Sequence, residues 1–135
     1  MSVVIDTSVT MTWCFEDEAT PSTEDILDLV VAEGALASPL WTLEVTNVLI
    51  SAERRGRLTE AQSARFVNLL MQLPITIAPD WPTPAVVLGL ARTHGLTTYD
   101  ASHLWLAEAR GLPLATLDVR LRRAAGTAGV SVLPG

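Results

Sequence analysis

The sequence predicts an α/β fold in which a parallel sheet carries helices on both faces. Short apolar, β-rich runs recur along the chain, such as Val3-Val4-Ile5, Ile75-Thr76-Ile77-Ala78 and Leu114-Ala115-Thr116-Leu117. Between them lie longer segments with apolar residues at helical spacing. Glycine or proline closes most of those segments, and strands alternating with helices imply a parallel sheet. A chain of 135 residues that is 49% hydrophobic suits one domain, residues 1–135, with a sizeable core.

The first strand is expected over Ser2–Ile5. Ser22 and Thr23 are placed to cap a helix over Asp25–Ala32, which Gly34 ends. A weaker strand signal covers Leu36–Ser38. Leu43, Val45, Val48, Leu49 and Ala52 give Trp41–Arg55 a helical stripe, and Gly56 stops it. Thr59 caps the next helix, with Phe66, Leu69, Leu70 and Leu73 inward and Pro74 at its end. A strand follows at Ile75–Ala78. Pro79 to Pro84 reads as an ordered loop, not a domain boundary. Helices are expected at Pro84–Thr93 and Tyr99–Ala109, closed by Gly95 and Gly111. A strand at Leu114–Leu117, a helix at Val119–Ala125 and a strand at Val130–Leu133 complete the chain. In such sheets the sites gather beyond the carboxyl ends of the strands.

Net charge is −6, and all nine cationic side chains are Arg. That balance argues against a protein that coats nucleic acid by charge alone. It leaves room for a nuclease whose bound cations neutralise an acidic site, and it fits a basic partner. No apolar run approaches the ~18–20 residues of a membrane span. The N-terminus lacks a basic leader, and Cys14 has no cysteine to pair with. A reducing cytoplasm is the expected compartment.

Asp6, Glu44, Asp100 and Asp118 are the candidate site residues. Asp6 and Asp118 each follow a strand; Glu44 and Asp100 each begin a helix. Singly, each has a structural explanation. Asp6 and Asp118 suit helix N-caps. Glu44 suits the first turn of a helix capped by Thr42. Asp100 matches a capping box with Thr97. Jointly, they fall along one edge of a parallel sheet. Two carboxylates ~4 Å apart repel by roughly 4 kcal/mol at an effective dielectric near 20. Caps gain nothing from such clustering, whereas a hard cation such as Mg²⁺ or Mn²⁺ requires it. Two such ions could hold a phosphodiester between them.

Four segments resemble the PIN-domain nucleases, most closely the VapC-type toxins. They are Val4-Ile5-Asp6-Thr7-Ser8, Leu43-Glu44-Val45-Thr46-Asn47-Val48-Leu49, Thr98-Tyr99-Asp100-Ala101-Ser102-His103 and Ala115-Thr116-Leu117-Asp118-Val119-Arg120-Leu121. The resemblance spans essentially the whole chain. It implies a three-layer α/β/α sandwich and a Mg²⁺-dependent endoribonuclease, with Mn²⁺ an alternative ion. Asp6, Glu44, Asp100 and Asp118 match the family's acidic quartet. Thr7 or Ser8, and Thr116, take supporting places. The resemblance further implies a homodimer blocked by a cognate VapB-like antitoxin. Whether one ion or two are held stays open.

Asn47, one helical turn after Glu44, could orient it or contact substrate. Arg120, Arg122 and Arg123 follow Asp118 and are the candidate RNA contacts, in preference to Arg54, Arg55 and Arg57. His103 reads as structural or peripheral, because metal-activated water removes the need for a general base. The tryptophans lack the basic interleaving of a stacking platform and read as core or dimer packing. An aspartyl-phosphate enzyme is the nearest rival, but it normally uses a Lys, and this chain has none. No phosphate-cradling glycine motif is present. The alternative outside catalysis is a degenerate PIN scaffold that only binds a protein partner.

Overall fold

The computed structural model describes residues 2–135; Met1, the first residue of the expected domain span, lies outside them. The chain forms a five-stranded parallel sheet in the order β3-β2-β1-β4-β5. The strands are β1 (Val4–Ile5), β2 (Ala35–Ala37), β3 (Ile75–Ile77), β4 (Leu114–Ala115) and β5 (Val132–Leu133). The helices among the described residues are α1 (Thr7–Thr12), α2 (Pro21–Glu33), α3 (Pro39–Arg54), α4 (Glu60–Gln72), α5 (Pro84–His94), α6 (Thr98–Arg110) and α7 (Val119–Thr127). A 3-10 turn covers Glu16–Glu18. The expected α/β/α sandwich is therefore the observed architecture.

Two cores sandwich the sheet. Val3, Ile5, Ala35, Ala37 and Ala115 face one core with Val9, Ile26, Val30, Trp41, Val45, Leu49 and Phe66 from α1 to α4. Val4, Leu36 and Leu114 face the other with Leu104, Leu106, Leu121 and Ala125 from α6 and α7. Alternate residues of one strand thus enter opposite layers, as the period of two requires. β1 lies central, paired with β2 at Val4–Leu36 and with β4 at Ile5–Ala115.

Several boundaries differ from expectation for identifiable reasons. The periodicity signals no helix over α1, because Thr7-Ser8-Val9-Thr10-Met11-Thr12 is rich in poor helix formers. The Asp6 side chain accepts from the Val9 N–H and starts it, and burial of Val9, Thr10, Met11 and Thr12 holds it. α2 begins earlier, with Thr20 and Thr23 forming a reciprocal cap ahead of the expected Ser22. α3 begins at Pro39, whose fixed φ suits a first helical position. Leu69 was expected inward but is 53% exposed, one position off the face that buries Phe66 and Leu70. Gly95 and Gly111 end α5 and α6 at φ 63°, in the left-handed region where a side chain is strained.

Candidate metal centre

Asp6 follows β1 directly and is 4% exposed. Its Oδ1 accepts from Val9 N at 3.1 Å and from Ser8 Oγ at 2.7 Å. Its Oδ2 accepts from the Thr116 hydroxyl. Thr116, fully buried after β4, also accepts from Asp118 N at 3.1 Å. Ser8 Oγ accepts from Leu117 N at 2.9 Å. Hydroxyls thus stitch the loop after β1 to the loop after β4. Asp118 caps α7, its Oδ1 accepting from Leu121 N at 2.9 Å.

Glu44 lies in the second turn of α3, not the first as expected, because the helix starts before Thr42. Its Oε1 accepts from Thr7 Oγ1 at 3.1 Å. The same oxygen lies 2.6 Å from His103 Nε2. Asp100 occupies the third position of α6, where its backbone N–H meets the Thr97 side-chain oxygen at 3.1 Å. Its own carboxylate accepts no hydrogen bond among the described residues.

The electrostatics tie the four acids together. Burial raises the Asp6 carboxyl above its ordinary value, against the lowering by Thr116, Ser8 and Val9. Burial also raises Asp100, and the charges of Asp118, Glu44 and Asp6 push it further up, with His103 opposing. For Glu44 burial is again the largest influence. The His103 hydrogen bond and charge, with the Thr7 hydroxyl, outweigh it and hold the group below its ordinary range. Asp6, Glu44, Asp100 and Asp118 therefore share one field, although three of them come from loop ends and helix starts far apart in sequence.

A family model for the PIN domain matches residues 3–127. The chain belongs to the PIN-domain family. No curated protein matches it by sequence. Among solved structures, PAE2754 from Pyrobaculum aerophilum is 25% identical with a TM-score of 0.75, covering 98% of this chain and 90% of that one. VapBC2 from Rickettsia felis, bound to a DNA fragment from their promoter, is 14% identical with a TM-score of 0.70, over 98% of this chain and 97% of that one. A toxin–antitoxin complex from Klebsiella pneumoniae is 17% identical with a TM-score of 0.62, over 96% and 95%.

The donor set of this PIN domain fits a hard divalent cation, since every candidate ligand is a carboxylate oxygen. Asp100 is the clearest sign: a half-buried, hydrogen-bond-free carboxylate inside a cluster of like charge. Even so, no three carboxylate, imidazole or thiol groups among the described residues form a ready-made cage. Hydroxyls, helix caps and His103 satisfy Asp6, Glu44 and Asp118 instead, and Asp100 alone of the four is left without a donor among the described residues.

The flanking residues depart from expectation. His103 is 1% exposed and touches Glu44, so it is not peripheral. Its spacing of one turn from Asp100 was the available signal. Asn47 is exposed and makes no hydrogen bond to Glu44 among the described residues. Arg122 donates to Thr116 O at 2.9 Å and to Pro134 O at 2.6 Å, so its guanidinium is engaged in joining α7 to the chain's end. Arg120 and Arg123 line a separate polar groove of about 340 Å³ with Thr93, His94 and Thr127. Arg55 and Arg57, less favoured as RNA contacts by their place in the sequence, line a 640 Å³ cleft with Thr7, Ser8 and Asp118. Arg57 is tied to Asp17 at 2.9 Å and stacks 3.8 Å over Phe15. Arg55 makes no ion pair among the described residues.

Proposed function

We propose that this chain is a metal-dependent endoribonuclease of the VapC toxin type, restrained by a cognate VapB-like antitoxin. The observation that carries the reading is Asp100: half-buried, without a hydrogen-bond donor, and raised by burial and by Asp118, Glu44 and Asp6. A site built that way spends electrostatic energy that a cation would return. Mg²⁺, or Mn²⁺ in its place, would be held by Asp6, Glu44, Asp100 and Asp118 and would supply Lewis acidity and activated water.

The chain's own residues do the rest. Thr116 and Ser8 fix both oxygens of Asp6. Thr7 fixes Glu44. Asp118 is oriented by its cap on α7. Arg55, across the cleft, offers a free guanidinium to a phosphate of the substrate backbone, and Arg120 and Arg123 offer a second basic groove. The net acidity leaves affinity to these few cations, so RNA binding is expected to be modest and selective.

Similarity to VapBC2 and to the Klebsiella toxin–antitoxin complex supports an antitoxin partner. So does an apolar groove of about 310 Å³ between α3, α4 and β3, floored by the buried Trp41, Val45 and Leu70, where Met71 and Ile77 are exposed to a partner or a second copy. Among the described residues no helix is long and apolar enough to cross a membrane.

The second reading, a PIN scaffold that only binds protein, draws on the lack of a ready-made cage. Incubation of the purified chain with structured RNAs separates the two. Cleavage is expected with Mg²⁺ and lost with chelator, with Asp6→Asn and with Asp100→Asn. Cleavage that survives chelation or either substitution overturns the metal site.

A further inference from the structure

We propose that His103 is the positioning residue for Glu44, setting which of its carboxylate oxygens is presented to the cation. The inference rests on the metal-site reading above.

His103 is 1% exposed, and its Nε2 lies 2.6 Å from Glu44 Oε1. A carboxylate at that range can only accept, so Nε2 carries the proton and donates. Thr7 Oγ1 donates to the same oxygen at 3.1 Å. Glu44 therefore receives two donors on Oε1 and, among the described residues, none on Oε2. Two fixed donors on one oxygen orient the carboxylate and leave the other oxygen free for a cation. They also come from two different elements, α1 and α6, so Glu44 on α3 is held from both sides.

The other ring nitrogen supports the assignment. His103 Nδ1 is buried and has no hydrogen-bond partner. A histidine kept only for packing would leave that nitrogen's cost unrecovered, and an apolar side chain would avoid it. The ring's single polar contact is Glu44. His103 also lies one helical turn from Asp100, so α6 delivers one acid to the site and the clamp for another. Partners that hold a ligand in place typically govern metal affinity by 10–100-fold.

The test measures Mn²⁺ binding to the full chain by calorimetry, with unfolding curves recorded for each variant. His103→Leu, which removes the donor, is expected to weaken Mn²⁺ binding at least 10-fold. His103→Gln, whose amide nitrogen reaches the place of Nε2, is expected to stay within about 3-fold of the unaltered chain. His103→Asn is polar but too short to reach Glu44, and is expected to behave like the Leu variant. Should the Leu variant not fold, the Gln–Asn pair decides. A folded Leu or Asn variant that binds Mn²⁺ as the unaltered chain does overturns the role of His103 alone. An unaltered chain that takes up no Mn²⁺ overturns the metal reading and this one with it.

Discussion

Replacing Thr116 by Val keeps the shape of a fully buried side chain and deletes one hydroxyl. That hydroxyl donates to Asp6 Oδ2 and accepts from Asp118 N at 3.1 Å. A hydrogen bond to a charged group contributes about 1.5–3 kcal/mol. Asp118 is exposed, so water can replace the partner of its N–H. Asp6 keeps Ser8 and Val9 as donors. The expected net loss is about 2 kcal/mol at pH 7. With an unfolding entropy of roughly 2.1 cal/mol/K per residue, such a loss lowers Tm by about 7 °C.

The loss should also depend on pH. The Thr116 bond favours the ionised form of Asp6, while burial raises the group above its ordinary 3.8. Deleting the bond raises it further. Where Asp6 is ionised in both proteins the loss is full; as pH falls through the folded value, Asp6 takes up its proton and the loss shrinks. Chemical denaturation of both proteins from neutral to acid pH reads this directly. A loss under about 0.5 kcal/mol at pH 7, or one unchanged in acid, would refute the account of Asp6.

Other outcomes follow from the same geometry. Asp100 is raised in the fold, so its contribution is fully present below the unfolded value of about 3.8 and lost as pH rises through the folded value. Asp100→Asn should therefore raise stability at neutral pH, converge with the unaltered chain in acid, and abolish cleavage; a less stable variant at pH 7 contradicts the like-charge cluster. Arg122→Met removes two bonds to backbone oxygens and should cost about 1–3 kcal/mol in denaturation while leaving RNA affinity in place. Arg55→Ala should weaken RNA binding and reduce the salt slope by about 0.7, the mark of one lost phosphate contact, with Tm unmoved. Equal salt slopes would place the substrate elsewhere.

The strands and most helices are legible because their signals are local, and the four candidate acids stand beside those signals. Apolar runs, helical stripes, capping threonines and terminal glycines act over a few residues. β1, β4 and α6 accordingly lie within a few residues of expectation. The misses have separate local causes. α1 forms from poor helix formers because Asp6 caps it and the core buries it. α3 starts at Pro39, because the fixed φ of proline suits a first helical position. Leu69 looks inward by type and turns outward by one step of helical phase.

The sequence by itself determined the fold class, the family and the candidate acids, since binary pattern and short motifs carry that information along the chain. Only the tertiary structure decided what each side chain touches. It gave His103 to Glu44, took Arg122 away to Thr116 and Pro134, and placed Arg55 beside Thr7, Ser8 and Asp118. The hydrogen-bonded partners among these lie between 6 and 59 positions apart. Hydrogen bonds and charge–charge interactions act over a few ångströms of space, and no spacing rule along the chain records distances set by the packing of one helix on another.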